Sequence, residues 1–177
     1  YWELYPTSQV TLPENMFFPR DLSRAFHYTW GEMRAYHGIP NQGQVSVETA
    51  RQLIRGYHAC VSFIDVQIGR LFDELDRLGQ ADNTMIVLWS DHGFHLGEKG
   101  RWGKYSLWER ATRVNMIWLA PGVTTPGATC ARPVNLLDIY PTLCDLTGLP
   151  KPEHLEGKSL VPVLKDPETT VKDAAIG

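Results

Sequence analysis

The stretch "SDHGFHLGEKGRWGKY", residues 90 to 105, sets Asp91, His92, His95, Glu98, Lys99, Arg101 and Lys104 among four glycines. A carboxylate oxygen beside an imidazole nitrogen is a common pair of donors to a divalent cation. Lys104 follows Asp91 by thirteen residues, with Trp102 and Tyr105 beside it. A metal next to an ammonium suits an anionic substrate, because the metal polarises one oxygen while the ammonium neutralises another. Residue types alone leave a second reading open. Asp91 equally suits the cap of a turn, and His92 and Lys104 equally suit a solvated loop.

The surrounding pattern says what must position these groups. "TMIVLW" immediately precedes them, a near-continuous apolar run that reads as a strand from 84 to 90, covered on both faces. A second such run, "VNMIWLA" at 114–120, ends at Pro121-Gly122. Upstream, Val47, Ala50, Leu53, Ile54, Tyr57, Val61, Ile64, Ile68, Leu71, Phe72, Leu75 and Leu78 recur at three- and four-residue steps. That spacing predicts one long amphipathic helix with Ser46 as its N-cap and Gly79 as its stop. "VNLLDIYPTLCDLTGL" predicts a further helix ending at Gly148, with Pro141 near its first turn. Residues 1–45 hold many prolines, turn formers and aromatics, and read as an irregular connecting segment with a short helix near "DLSRAFH". Residues 46–177 then carry an α/β grammar of helices and a mostly parallel sheet. In such sheets ligands gather beyond the carboxyl ends of strands, where Asp91 and His92 fall. Neighbours on a strand point to opposite faces, so these two converge only if the chain turns. Gly93 supplies that freedom.

Bulk composition excludes several classes. The chain has 177 residues, 43% hydrophobic and 21% charged, which is ordinary for a globular protein. A formal net charge of −3 argues against nucleic acid or an anionic membrane as the main partner. No apolar run approaches the roughly 20 residues that span a bilayer. Cys60, Cys130 and Cys144 lie far apart and form no Cys-x-x-Cys pair, which favours buried free thiols over a zinc knuckle or a disulfide framework.

"SDHGFHLGEKGRWGKYSLWERATRVNMIWLAPG" resembles the metal-and-lysine block of the sulfatases in the alkaline phosphatase superfamily, and most of all the iduronate-2-sulfatase-like branch. "ARQLIRGYHACVSFIDVQIGRLFDELDRLGQADNTMIVLWSDHG" resembles the helix and strand before that block. "DIYPTLCDLTGLPKPEHLEGKSLVPVL" resembles the later helix and its Gly-x-Ser-Leu-x-Pro segment. The likeness covers roughly residues 46 to 165 and is far more specific than any single motif. It implies an alkaline-phosphatase-like core, here only in part, and hydrolysis of sulfate esters. A formylglycine, made from Cys or Ser in Cys-x-Pro-x-Arg or Ser-x-Pro-x-Arg, attacks sulfur as its hydrated gem-diol. Asp91 and His92 resemble the second pair of metal ligands, and Lys104 resembles the sulfate-binding lysine. His95, Lys99 and Trp102 are candidates for the substrate pocket. The metal implied is calcium, although an imidazole such as His92 suits Mn2+ or Zn2+ better. The substrate implied is a sulfated carbohydrate, with sulfated glycosaminoglycan sugars fitting the branch. The compartment implied is secreted, periplasmic or lysosomal.

The chain departs from the family in two places, with Gly97-Glu98-Lys99 where Gly-Glu-His is frequent and Val114-Asn115 where Val-Pro is frequent. Neither is a position with a transferred role. Neither nucleophile motif occurs in the 177 residues, and "CARPV" at 130–134 has the letters in the wrong order. The first aspartate pair and the His-x-Pro-His-like segment are also missing. These gaps read as a piece from the middle of a longer sulfatase, expected to be inactive and to fold poorly by itself. A phosphoester or phosphonate monoester hydrolase of the same superfamily is the rival enzyme, separated by the identity of the upstream nucleophile. A non-catalytic anion- or carbohydrate-binding derivative is the rival outside catalysis, and intact Asp91, His92 and Lys104 argue against it.

Overall fold

The computed structural model describes residues 1–23 and 32–175. The helix expected near "DLSRAFH", 21–27, falls partly outside them. The chain divides into two compact units, one of residues 1–81 and 92–114, the other of residues 82–91 and 115–177.

The first unit is organised by helix α1, Val47–Arg77. Ser46 sits in an extended conformation and its Oγ accepts the Thr49 N–H at 3.0 Å. At the other end Gly79 takes φ 64°, the left-handed conformation that only glycine adopts without strain. Gln80 N–H then reaches Leu75 O at 2.9 Å and Gly79 N–H reaches Asp76 O at 3.0 Å, satisfying the last carbonyls. Both ends match the sequence expectation. Residues 1–45 contribute three short 3-10 turns, Trp2–Leu4, Thr7–Gln9 and Glu32–Ala35, and no longer element among the described residues. They are bound to α1 by polar contacts, including Arg55 Nε to Trp2 O at 3.1 Å and the Tyr5 and Ser62 hydroxyls at 2.6 Å. Met33, Val45 and Ala50 form a small core, with Leu12, Met16, Ile39, Leu53 and Trp102 packed against it. Only the first half of the α1 apolar stripe is buried: Ala50 and Ile54 are covered, whereas Val61, Ile64 and Leu71 are exposed.

Strands β2 (His95–Leu96) and β3 (Trp102–Gly103) and the short helix α2 (Glu109–Thr112) complete this unit.

The second unit holds β1 (Ile86–Trp89) and β4 (Met116–Leu119). They pair antiparallel, Ile86 opposite Leu119 and Trp89 opposite Met116. The expected parallel pairing is not the relation between these two strands. A parallel neighbour needs a crossover that carries the chain back past the strand's length, usually a helix. The only α-helix between them is four-residue α2, about 6 Å long. The strands are also not covered on both faces, since Ile117, Leu119 and Trp89 are exposed. Helix α3 (Ile139–Thr147) follows a 3-10 turn at Leu136–Asp138 and ends at Gly148, φ 71°, as the sequence predicts. Helix α4 spans Val161–Lys165. The segment before it is bolted to α3: Lys158 N–H donates to Asp138 Oδ1 at 2.8 Å and Leu160 N–H to Thr142 Oγ1 at 2.7 Å.

The α/β class stands. Of the cysteines only Cys144 is buried, so the expectation of buried thiols fails for Cys60 and Cys130, which are exposed. Among the described residues no helix is long and apolar enough to cross a membrane.

Candidate active-site loop

Strand β1 ends at Trp89, and Ser90 N–H still donates to Asn115 O at 3.2 Å. Asp91, exposed, closes the first segment of the second unit, and His92, half-buried, opens the return into the first. His92 Nδ1 lies 2.9 Å from Gly93 O. With that nitrogen donating, Nε2 carries the ring's lone pair. Gly93 N–H donates to Ala111 O at 2.8 Å. Glycine is required here for space: a Cβ at Gly93 would lie 2.0 Å from Arg110 O. Its φ is not positive, so the turn freedom expected from sequence is not what the position uses.

From Phe94 the chain runs along α1, the Phe94 and Tyr57 rings 5.5 Å apart, and enters a two-residue ladder. His95 pairs with Gly103 and Leu96 with Trp102. The turn between them is closed by Gly97 N–H to Arg101 O at 2.8 Å. Lys99 takes φ 55°, the only positive φ outside glycine among the described residues. Its N–H donates to Asn15 O at 2.6 Å and its Nζ lies 4.5 Å from the Trp108 ring centre, which hold it in that conformation. Glu98 Oε2 accepts the Leu96 N–H at 2.7 Å, and its Oε1 pairs with Arg110 Nε at 3.2 Å.

His95 is 1% exposed. Its Nε2 lies 2.8 Å from Ser106 Oγ, while Nδ1 is buried with no hydrogen-bond partner among the described residues. Burial holds this imidazole below its ordinary pKa; Glu98 opposes the shift, and Arg101, Lys99 and Arg110 add to it. Trp102 packs against the Met33–Val45–Ala50 core. Lys104 is half-buried, its Nζ 5.8 Å from the Tyr105 ring centre. Ser106 N–H donates to Lys104 O at 2.7 Å, and Arg101 Nη2 to Tyr105 O at 2.7 Å.

The first unit therefore brings His95, Lys99, Trp102 and Lys104 into one hairpin and its continuation. Glu98, Ser106 and Arg110, which frame it, have no sequence signal that separates them from ordinary loop polar groups. Among the described residues no group of three or more His, Cys, Asp or Glu is placed to surround a metal. The carboxylate of Asp91 and the imidazole of His92 are donor types that a divalent cation accepts.

The family model described as Sulfatase matches residues 5–149. Human iduronate 2-sulfatase is 31% identical over 182 aligned positions, covering 86% of this chain and 33% of that protein. A solved structure of BT4656 with its substrate D-glucosamine-2-N,6-O-disulfate has a TM-score of 0.69 and 35% identity, covering 76% of this chain and 27% of that one. The phosphonate monoester hydrolase SpPMH from Silicibacter pomeroyi has a TM-score of 0.68 and 34% identity, covering 73% of this chain and 25% of that one. The chain spans 23% to 33% of the length of the curated relatives it matches first.

Proposed function

This chain belongs to the sulfatase family, and we propose on that premise that the protein carrying it hydrolyses sulfate esters. The family match across residues 5–149, which includes the whole loop of Asp91, His92 and Lys104, is the observation that carries the reading. The likeness to a structure holding a disulfated glucosamine supports a sulfated sugar, of the glycosaminoglycan kind, as substrate. The family resemblance also supports a secreted, periplasmic or lysosomal setting.

Lys104 is the residue of this chain assigned to the anion. Its compact ammonium faces a non-bridging sulfate oxygen and stabilises the negative charge that grows as the S–O bond breaks. Asp91 contributes a formal negative charge and His92 its Nε2 lone pair to a divalent cation, calcium by resemblance, with Mn2+ or Zn2+ as alternatives. That cation, when bound, supplies positive charge beside the sulfate oxygens. The attacking group, a formylglycine by resemblance, comes from outside these 177 residues, which contain no Cys-x-Pro-x-Arg or Ser-x-Pro-x-Arg.

The test is steady-state kinetics of the whole natural protein on a small aryl sulfate. Lys104→Ala should lower kcat, because the charge it meets develops in the transition state. A charge-assisted hydrogen bond in a desolvated site is worth about 2–4 kcal/mol, or roughly 30- to 1000-fold. Lys104→Arg should restore only part. Lys99→Ala should cost little, since its ammonium is engaged with Trp108. A crippled Lys99→Ala beside a near-normal Lys104→Ala would move the anion assignment. The SpPMH likeness favours a second reading, a phosphonate monoester as the ester cleaved. Faster turnover of an aryl phosphonate than of the matching aryl sulfate would select it.

A further inference from the structure

We propose that His95 is the positioning residue of Lys104, gripping the chain on both sides of the lysine. The inference rests on the anion-binding reading of Lys104 above and assigns His95 no contact with substrate. An imidazole that is 1% exposed cannot meet a solvent-borne ester without leaving its place.

The grip has two halves. On the near side, His95 pairs in the ladder with Gly103, the residue before Lys104. On the far side, the His95 ring is 2.8 Å from Ser106 Oγ, two residues after it. Residues 103 to 106 are therefore pinned at both ends by one residue. Inside that span Ser106 N–H bonds Lys104 O at 2.7 Å, and Arg101 Nη2 bonds Tyr105 O at 2.7 Å. Ser106 Oγ also receives the Trp108 N–H at 3.3 Å, which carries the restraint toward α2.

Packing alone would not call for histidine. A leucine fills similar space with no polar atom to bury, whereas His95 leaves Nδ1 buried and unmatched. An unmatched buried polar atom costs free energy. The bond to Ser106 is what the imidazole provides in return. The tautomer with hydrogen on Nε2 makes that bond and avoids a buried, unmatched N–H on Nδ1. The charged groups around the ring are Glu98, Lys99 and Arg101 on its own hairpin and Arg110 on α2. Burial lowers the imidazole's pKa, and the three cationic groups add to that while Glu98 opposes it.

The experiment uses the whole natural protein on an aryl sulfate, with His95→Ala, Ser106→Ala and His95→Gln each made alone and in a Lys104→Ala background. A misplacement on the scale of an ångström lowers kcat by roughly 10- to 100-fold. His95→Ala and Ser106→Ala should each fall in that range. His95→Gln, whose amide nitrogen reaches where Nε2 sits, should recover most of the loss. In the Lys104→Ala background neither substitution should lower kcat further, because the group they position is gone. The same loss in that background would overturn the inference and leave His95 a fold residue. Ser106→Ala within twofold of wild type, beside a crippled Lys104→Ala, would overturn it and spare the anion assignment. A near-normal Lys104→Ala would overturn both. Ser106→Ala deletes one oxygen, so it reads the clamp even where His95→Ala fails to fold.

Discussion

Gly93→Ala tests the packing that anchors the chain directly after Asp91 and His92. An added Cβ would stand 2.0 Å from Arg110 O, 3.0 Å from Arg110 C and 3.2 Å from Ala111 Cα. Real Cβ atoms essentially never approach another heavy atom within 3.0 Å, so the two backbones must part by an ångström or more. Every close neighbour is main chain, and no side chain can rotate aside. The Gly93 N–H to Ala111 O bond, 2.8 Å, crosses the same junction and would be lost. Overpacking of this kind costs about 1–3 kcal/mol and the bond about 1 kcal/mol, giving a destabilisation of about 2–4 kcal/mol. The opposite sign is the default. Gly93 has no positive φ, and at a compatible position Gly→Ala stabilises by about 0.4–1 kcal/mol through the unfolded chain. Gly69, in α1 with nothing within 4 Å of its Cβ position, is the control and should gain about 1 kcal/mol on becoming alanine. Urea unfolding of both variants against wild type measures the pair. A stabilised Gly93→Ala would refute the close approach and with it the anchoring of this segment on α2.

Asp138 is 0% exposed and accepts from Asn135 N–H, Lys158 N–H and Lys172 Nζ, the last at 2.6 Å to Oδ2. Lys172→Met should destabilise by about 3 kcal/mol in urea unfolding, since it strands a buried carboxylate, and adding Asp138→Asn should recover part of that loss. His95 is held below its ordinary value near 6.5, so the unfolded chain binds the extra proton first. Stability should be full above that value, fall as pH drops through it toward the depressed folded value, and level off below; His95→Gln should flatten that limb of the unfolding profile. Asp91→Asn should lower the metal content of the purified protein by removing a formal charge from the donor set, and unchanged metal and turnover would take Asp91 out of it.

What the sequence made legible was local. Ser46 and Gly79 bracket α1 because a cap and a left-handed stop are single-residue chemistry. Gly148 ends α3 for the same reason. The two apolar runs gave strands, but their antiparallel pairing depends on how the intervening chain returns, which no window of residues encodes. The helical stripe over Val61, Ile64 and Leu71 had the spacing of a core and is exposed, because period records which side is apolar and not what covers it. Gly93 reads as a source of turn freedom, yet its need is room for the Arg110 carbonyl. Asp91, His92 and Lys104 are site candidates by residue type and resemblance alone. His95 reads from sequence as a substrate-pocket candidate, and its burial is not legible there because burial of a loop histidine leaves no periodic trace.

The ladder that presents Lys104 is two residues per strand, too short to hold itself by backbone bonds. Its turn is rich in glycine, which raises the entropy lost on ordering it. Side chains supply the missing restraint. Glu98 ties the Leu96 N–H of β2 to Arg110 of α2, and His95 ties the ladder to Ser106. The position of Lys104 therefore depends on Glu98, Ser106 and Arg110. A chain that kept Asp91, His92 and Lys104 but replaced Glu98 and Ser106 by apolar residues would keep its motif and lose the frame that aims it.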